Sequence, residues 1–349
     1  MALDVWERYP WVQRTDVARD WLRLQCQLQL AAKTVEAYGR ALDDYLAFCA
    51  ATPTDPLHAT RAHLAGYVAD LTTRPVPRRR ANGDDPPLQH GLANATIQLR
   101  LTAVRLFYDH VIEQGLRADN PVGRGRYTPG NAFAGKRARG LVPHYQRLPW
   151  IPGDEQWQAL LGALRDEPLR NRAMFVLAYD GALRRGELVT LALGDLDLAQ
   201  RRLTLRAEHT KHGVARVVTF SETTALLLAA YLRERATLSS AVGALFLSTS
   251  ARNRAQPLSA SMWAKIVAGI AARAGCPACT SHTLRHLRLT HMARAGLDIH
   301  LIATYAGHRS LTTTMRYIHL SGRELAEKVA RSLAGFDRLT AEACGCAQQ

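Results

Sequence analysis

Residues 120–153, NPVGRGRYTPGNAFAGKRARGLVPHYQRLPWIPG, divide this chain in two. The stretch is rich in glycine and proline, and it carries six Lys and Arg and no Asp or Glu. Proline removes a backbone donor and glycine loosens the backbone, so no regular element is expected to run through it. A chain interrupted this way should fold as two units on a linker. The boundaries that follow are a first domain over 1–122, a linker over 123–150, a second domain over 151–336 and a tail over 337–349. The linker's charge suits a path along a phosphate backbone.

On the N-terminal side the apolar residues recur at helical spacing. Val17, Trp21 and Leu24 share one face, and Val35, Tyr38, Leu42, Tyr45 and Leu46 share another. A shorter helix is expected over His63–Leu71. The segment Arg74–Gly91 holds four prolines and two glycines and reads as a loop, either a solvated excursion or a basic DNA-touching one. Asn94 suits the N-cap of the next helix, whose stripe is Ile97, Leu101, Val104, Tyr108, Val111 and Ile112, flanked by Arg100 and Arg105.

Beyond the linker, DEQWQALLGAL opens a helix with acids at its start, as the helix dipole favours. A buried helix, a turn at Asp180 and Gly181, and another helix follow. RLTLRAEHTKHGVARVVTF alternates like two strands joined by a turn. The remainder from Glu222 is mostly helical. The fold class is therefore mainly α: a helical N-terminal domain, then an α+β domain with a small β-sheet or hairpin.

Lys and Arg number 45 against 30 Asp and Glu, a net charge of +15 with histidine neutral. That surplus points to a polyanion, nucleic acid before membrane, since no long basic amphipathic helix is present. The longest apolar run, Ala225 to Leu232, is too short for a bilayer. The N-terminus has early acids and no apolar core of a signal peptide, so a cytoplasmic, nucleoid-associated protein is expected.

The segment SHTLRHLRLTHMARAG, residues 281–296, packs three histidines and three arginines onto one expected helix. Like charges three or four apart repel, so a negative group outside the helix should face them. Cleaving a phosphodiester without a metal needs such groups. Charge spreads over the non-bridging oxygens and must be met by fixed cations. Arginine grips two oxygens and keeps its proton. A hydroxyl nucleophile and a proton donor for the leaving oxygen complete the set. The second domain supplies Arg184 with Glu187 three residues on to orient it, Lys211 at the hairpin tip, His282 and Arg285 on one helical face, His308, and Tyr317.

GALRRGELVTL, the TKHG hairpin tip and HTLRHLRLTHMARAGLDIHLIATYAGHRSLTTTMRYIH resemble the signature boxes of tyrosine recombinases, the phage-integrase and Xer-type family. ANATIQLRLTAVRLFYDHVIEQGLRADNP resembles that family's helical, SAM-like core-binding domain. The similarity covers roughly residues 14–335. It implies that Tyr317 attacks the scissile phosphate and forms a 3′-phosphotyrosine. It implies that Arg184 and Arg285 clamp the phosphate oxygens and that His282 acts in proton transfer around the tyrosine. His308 would hydrogen-bond the phosphate, and Lys211 would protonate the departing 5′-oxygen. No cofactor and no metal are implied. The implied partners are double-stranded DNA at specific recombination sites, a homo-tetramer on two duplexes, and accessory or sister recombinases. The family also implies a C-shaped clamp around DNA and a mobile-element role such as integration, excision, resolution or transposition. Ala306 stands where the family usually has leucine, a packing change.

A free tyrosine has a pKa of about 10, so nearby cations and a neutral histidine are needed to release its proton. Arg185 reads as a solvent or backbone contact. His286, His291 and His319 read as structural or DNA-facing. His282 and His286 are four apart, as helix zinc ligands can be, but a third ligand at a recognised spacing is lacking. Cys276, Cys279, Cys344 and Cys346 could close a zinc site tying the tail down; free thiols are the favoured reading. An amphipathic helix through Leu325, Val329 and Leu333 could dock on a neighbouring protomer. The rival functions are a type IB topoisomerase, with the same chemistry on one duplex, and a non-cleaving regulator.

Overall fold

The computed structural model of the protein describes residues 5–76, 89–123, 141–143, 149–210, 213–239, 241 and 243–320. Lys211, the loop residues 77–88, most of the linker and everything from 321 onward lie outside the described residues. The latter includes Cys344, Cys346 and the helix expected through Leu325, Val329 and Leu333. The chain divides into two compact units, Met1–Gln146 and Arg147–Gln349.

The first unit is helical. Its elements are α1 (Pro10–Arg14), α2 (Asp16–Gln27), α3 (Ala32–Ala51), α4 (Arg61–Thr73) and α5 (Asn94–Glu113), with a two-residue antiparallel pair β1 (Pro75–Val76) and β2 (Gln89–His90) between α4 and α5. Trp21, Tyr45, Tyr67, Phe107 and Tyr108 are fully enclosed in its core. On α2 the buried residues are Ala18, Trp21 and Leu22, so the helix is turned slightly from the Val17–Trp21–Leu24 face read in the sequence. Asp44 gathers three donors at the core's edge. Arg74 donates two bonds, at 2.8 and 2.6 Å, Tyr67 donates one at 2.6 Å, and Arg100 donates another. Those bonds hold the Asp44 carboxyl below the usual range even though burial opposes ionisation.

Asn94 does not cap α5. Ala93 occupies the N-cap with no side-chain bond, and the Asn94 amide instead donates to the Pro143 carbonyl at 3.3 Å. Gln98, one turn on, donates to the Val142 and Pro143 carbonyls. Leu141 and Val142 pack into the same core. Residues 141–143, inside the stretch read as linker, are therefore seated on the first unit. A distant carbonyl competes for the Asn94 side chain, and capping loses.

The second unit is a helical body carrying one small sheet. The helices are α6 (Asp154–Leu164), α7 (Leu169–Asp180), α8 (Arg185–Val189), α9 (Glu222–Leu238), α10 (Ala260–Arg273), α11 (Ser281–Arg294), α12 (Ile299–Ala306) and α13 (Leu311–Leu320). The sheet is antiparallel in the order β3 (Leu196–Asp197), β4 (Arg202–Leu205), β5 (Arg216–Thr219). Leu203 faces Val218 across the central pair, and both are buried while their neighbours along the strands are exposed or half-buried. This is the alternation seen in the sequence, with the short edge strand β3 added.

The main core of this unit includes Phe175, Leu203, Tyr231, Phe246, Trp263 and Leu284. A second, smaller apolar cluster holds Ala182, Leu289, Met292, Ile302, Ala306 and Tyr317. It lies where α11, α12 and α13 meet the turn after α7. The starts of α11 and α12 are fastened locally. Thr280 accepts from the Thr283 amide at the head of α11, and Asp298 accepts from the His300 and Leu301 amides at the head of α12. These caps fix where the segment carrying most of the candidate residues begins.

Candidate active site

Arg184 sits at the N-cap of α8, directly after the turn that closes α7. The Glu187 carboxylate reaches back one turn and accepts from the Arg184 backbone N–H and from its Nη1, each at 2.8 Å. Glu187 is 2% exposed and also takes a two-pronged grip from Arg216 on β5, at 3.0 and 2.8 Å. Burial alone would raise its pKa, but Arg216 and then Arg184 pull it down to about 2. One buried carboxylate thus orients two guanidinium groups from two different elements.

Arg285 lies in the middle of α11 and is 3% exposed. Its Nη1 donates to the Ala182 carbonyl at 2.6 Å and its Nη2 to the Ala306 carbonyl at 2.5 Å. Ala182 adopts a left-handed φ of 46° in the turn after α7. Burial, then the charge of Arg184, lower the Arg285 pKa to about 10, which leaves it cationic at neutral pH. Arg184 Nη2 donates to the Gly307 carbonyl at 3.0 Å. Gly307 ends α12 at φ +63°, and a Cβ there would meet Arg216 Nη1 at 3.0 Å. A residue with a side chain would be strained there and would press on that guanidinium.

His308 follows that glycine. Its Nε2 is 3.0 Å from Arg285 Nη2, and its Nδ1 is 2.9 Å from the Thr314 hydroxyl. Burial first, then Arg285, Arg184 and Arg216, push its pKa down to about 3. It is a neutral imidazole under ordinary conditions. Tyr317 of α13 is 3% exposed, with its ring stacked on that of His308, the planes 6° apart and the centroids 6.0 Å. The Tyr317 hydroxyl lies 2.9 Å from Nδ1 of His286.

His282 is on the exposed side of α11, one turn before His286, with ring centroids 6.4 Å apart. Partial burial and the charges of Arg285, Arg185 and Arg184 lower its pKa, favouring the neutral ring. An open cavity of about 250 Å³ adjoins the cluster, lined in part by Arg184, Thr210, Arg216, His308 and Arg309. Its polar lining is cationic, which suits an anion of phosphate size.

Of the six residues singled out in the sequence, Arg184, Arg285, His308 and Tyr317 join in one connected network, and His282 stands at its edge. Lys211 lies outside the described residues. Sequence reasoning missed Arg216, whose strand position gave no sign that it shares Glu187 with Arg184. It read His286 as structural or DNA-facing, yet that ring touches the tyrosine. Its spacing four residues after His282, on the Arg285 face, was the available signal. Cys276 and Cys279 are buried, and burial together with Cys276 raises the Cys279 thiol to about 11. Cys276 donates to the Ala274 carbonyl at 3.4 Å. Among the described residues, no cluster of three or more His, Cys, Asp or Glu is arranged to hold a metal ion. Among them too, no helix is long and apolar enough to cross a membrane.

A model of the phage integrase family matches residues 153–324. Tyrosine recombinase XerC of Pelobacter propionicus is 30% identical over 313 residues, covering 88% of this chain and 91% of its own. Tyrosine recombinase XerD of Caulobacter vibrioides is 30% identical over 309 residues, covering 86% and 90%. Among solved structures, the XerH site-specific recombinase bound to a palindromic difH substrate is similar with a TM-score of 0.64 and 18% identity, over 85% of this chain and 79% of that one. A lambda integrase dimer bound to a COC′ core site gives a TM-score of 0.59 and 16% identity, over 88% and 94%. The two structural likenesses establish the fold, and the sequence relatives establish the family. This chain belongs to the tyrosine recombinases of the phage integrase family, enzymes that cut and rejoin DNA at specific sites.

Proposed function

We propose that this chain recombines double-stranded DNA through a 3′-phosphotyrosine formed on Tyr317. The observation that supports this most is the continuity of the cluster. Tyr317 stacks on His308, His308 contacts Arg285, and Arg184 bonds to the carbonyl of Gly307, the residue before His308. Arg184 comes from a segment more than a hundred positions before the other three in the chain.

In this reading a phosphodiester enters the cationic cavity beside Arg184. Arg184 and Arg285 stabilise the charge that develops on the non-bridging oxygens, where preorganised donors act most strongly. His308 orients on the phosphate as a neutral ring. His282 takes part in proton transfer, and Lys211 protonates the departing 5′-oxygen. Cleavage stores the bond energy in the tyrosyl ester, so rejoining needs no cofactor. XerH and lambda integrase are described as bound to their DNA sites, and the same class of partner suits the +15 net charge here.

Further elements of the reading are a tetrameric synapse on two duplexes, sister or accessory recombinases, a role on mobile DNA and a cytoplasmic, nucleoid-associated location. The test is a covalent trap. A randomised pool of nicked suicide duplexes is incubated with the chain, and protein–DNA adducts are recovered and sequenced. Adducts linked through Tyr317 on a restricted set of sequences are the expected result. Adducts on sequences drawn at random from the pool would instead favour topoisomerase-like cleavage, and no adduct at all would count against cleavage.

A further inference from the structure

We propose that His286 is the base that accepts the proton of the Tyr317 hydroxyl. The inference rests on the reading of Tyr317 as nucleophile and moves the acceptance of its proton from His282 to His286. A neutral phenol is a poor nucleophile, and some group must take its proton as the oxygen attacks. The group must lie within hydrogen-bond reach of that proton.

His286 meets the geometric condition. Its Nδ1 is 2.9 Å from the Tyr317 oxygen, and the two rings lie 5.6 Å apart at 35°. His308 is on the same tyrosine ring but is poorly suited as a base. Arg285 faces its Nε2 and Thr314 its Nδ1, and its pKa is pushed down to about 3. His282, the histidine favoured in the sequence, lies one helical turn back and is exposed. The groups around His286 include His282 and Arg285 on its own helix, Tyr317 on α13, and His308 between α12 and α13. The nearby guanidinium charge of Arg285 favours the phenolate once it forms.

The step balances as follows. The O–H bond of Tyr317 breaks and its proton moves to the Nδ1 lone pair of neutral His286, which becomes an imidazolium. The oxygen forms its bond to phosphorus as the bond from phosphorus to the 5′-oxygen breaks. The 5′-oxygen takes its proton from the acid on the opposite side. On rejoining, the 5′-hydroxyl gives its proton back to that acid as its oxygen bonds to phosphorus, the bond from phosphorus to the tyrosine oxygen breaks, and His286 returns its proton to that oxygen.

The test uses the full chain and the duplex that the wild type captures most strongly from a randomised pool. That duplex is made in two forms, one with an ordinary 5′-oxygen at the scissile position and one with a bridging 5′-sulfur. The sulfur leaves without needing a proton, so it isolates the nucleophile side. His286→Asn and His286→Gln should bind the duplex like the wild type and form adduct at least about 100-fold more slowly. The deficit should be the same on both duplexes. A variant cleaving at the wild-type rate would overturn the assignment. So would a deficit that disappears on the sulfur duplex, which would place the residue on the leaving-group side. Wild-type cleavage by His286→Asn alone would equally overturn it, leaving His286 a positioning role only. Should both variants lose their fold, wild-type cleavage of the sulfur duplex still decides. It must rise with pH and level off once an imidazole base has lost its proton; a flat profile overturns the proposal. Adduct formation by Tyr317→Phe would overturn the nucleophile reading itself, separately from His286.

Discussion

His308 accepts a hydrogen bond at Nε2 from Nη2 of Arg285, 3.0 Å away. An arginine has no acceptor to offer, so the Nε2 lone pair must face it. The proton of the neutral ring then sits on Nδ1 and is donated to the Thr314 hydroxyl at 2.9 Å. In the free enzyme the ring should be an Nδ1–H tautomer. A phosphate accepting from Nε2 would need the other tautomer, and the Thr314 hydroxyl can accommodate it by rotating from acceptor to donor. Nitrogen NMR of the labelled chain at neutral pH checks the tautomer. Thr314→Val removes the partner and should cost about 1–3 kcal/mol of stability, read by urea unfolding, together with slower cleavage.

The same histidine sets an acid limb of stability. Its folded pKa, about 3, is below the unfolded value of about 6.5, so the neutral ring favours the folded state above about 6.5. That contribution is lost as pH falls toward the folded value, by up to about 1.4 kcal/mol per pH unit. Glu187, held at about 2, adds loss of the same sign only below its unfolded range near 4.5. Between these two thresholds the wild type should weaken on acidification more steeply than His308→Gln. The measurement is the urea midpoint of each protein as a function of pH.

Glu187 has two guanidinium groups on one buried carboxylate. Removing it with Glu187→Ala leaves Arg184 and Arg216 facing each other without their counter-charge. A loss of about 3–5 kcal/mol is expected. Arg216→Ala should also lower cleavage, because Arg184 then keeps only part of its scaffold. Urea unfolding and the rate of adduct formation measure the two effects.

Gly307→Ala tests the turn that carries His308. The substitution forces a side chain into a φ of +63°, with its Cβ 3.0 Å from Arg216 Nη1. A left-handed alanine costs roughly 1–2 kcal/mol before any contact is counted. The Gly307 carbonyl is also the acceptor for Arg184, so cleavage should fall more than stability alone explains. Adduct formation measured well below the melting temperature separates the two.

Much of the second unit is legible in its sequence because its signals are local. Acids at the head of α6, the alternation around Leu203 and Val218, and the spacing of His282 and Arg285 each follow from short-range rules. What escaped depends on pairs brought together by folding. Arg216 matters because β5 delivers it to Glu187, and nothing within RVVT announces that. His286 matters because α13 returns to lay Tyr317 against α11. Asn94 looked like a cap until the Pro143 carbonyl, 49 residues away, took its side chain. Strand β3, two residues long, has no periodicity to read.

The most direct measurement of the central claim is peptide mapping of the adduct trapped on a nicked suicide duplex. The account predicts that the DNA is esterified to the Tyr317 oxygen through its 3′-phosphate, with a free 5′-hydroxyl on the released strand, and that Tyr317→Phe yields none. An adduct on any other residue, or cleavage that persists in Tyr317→Phe, would contradict it.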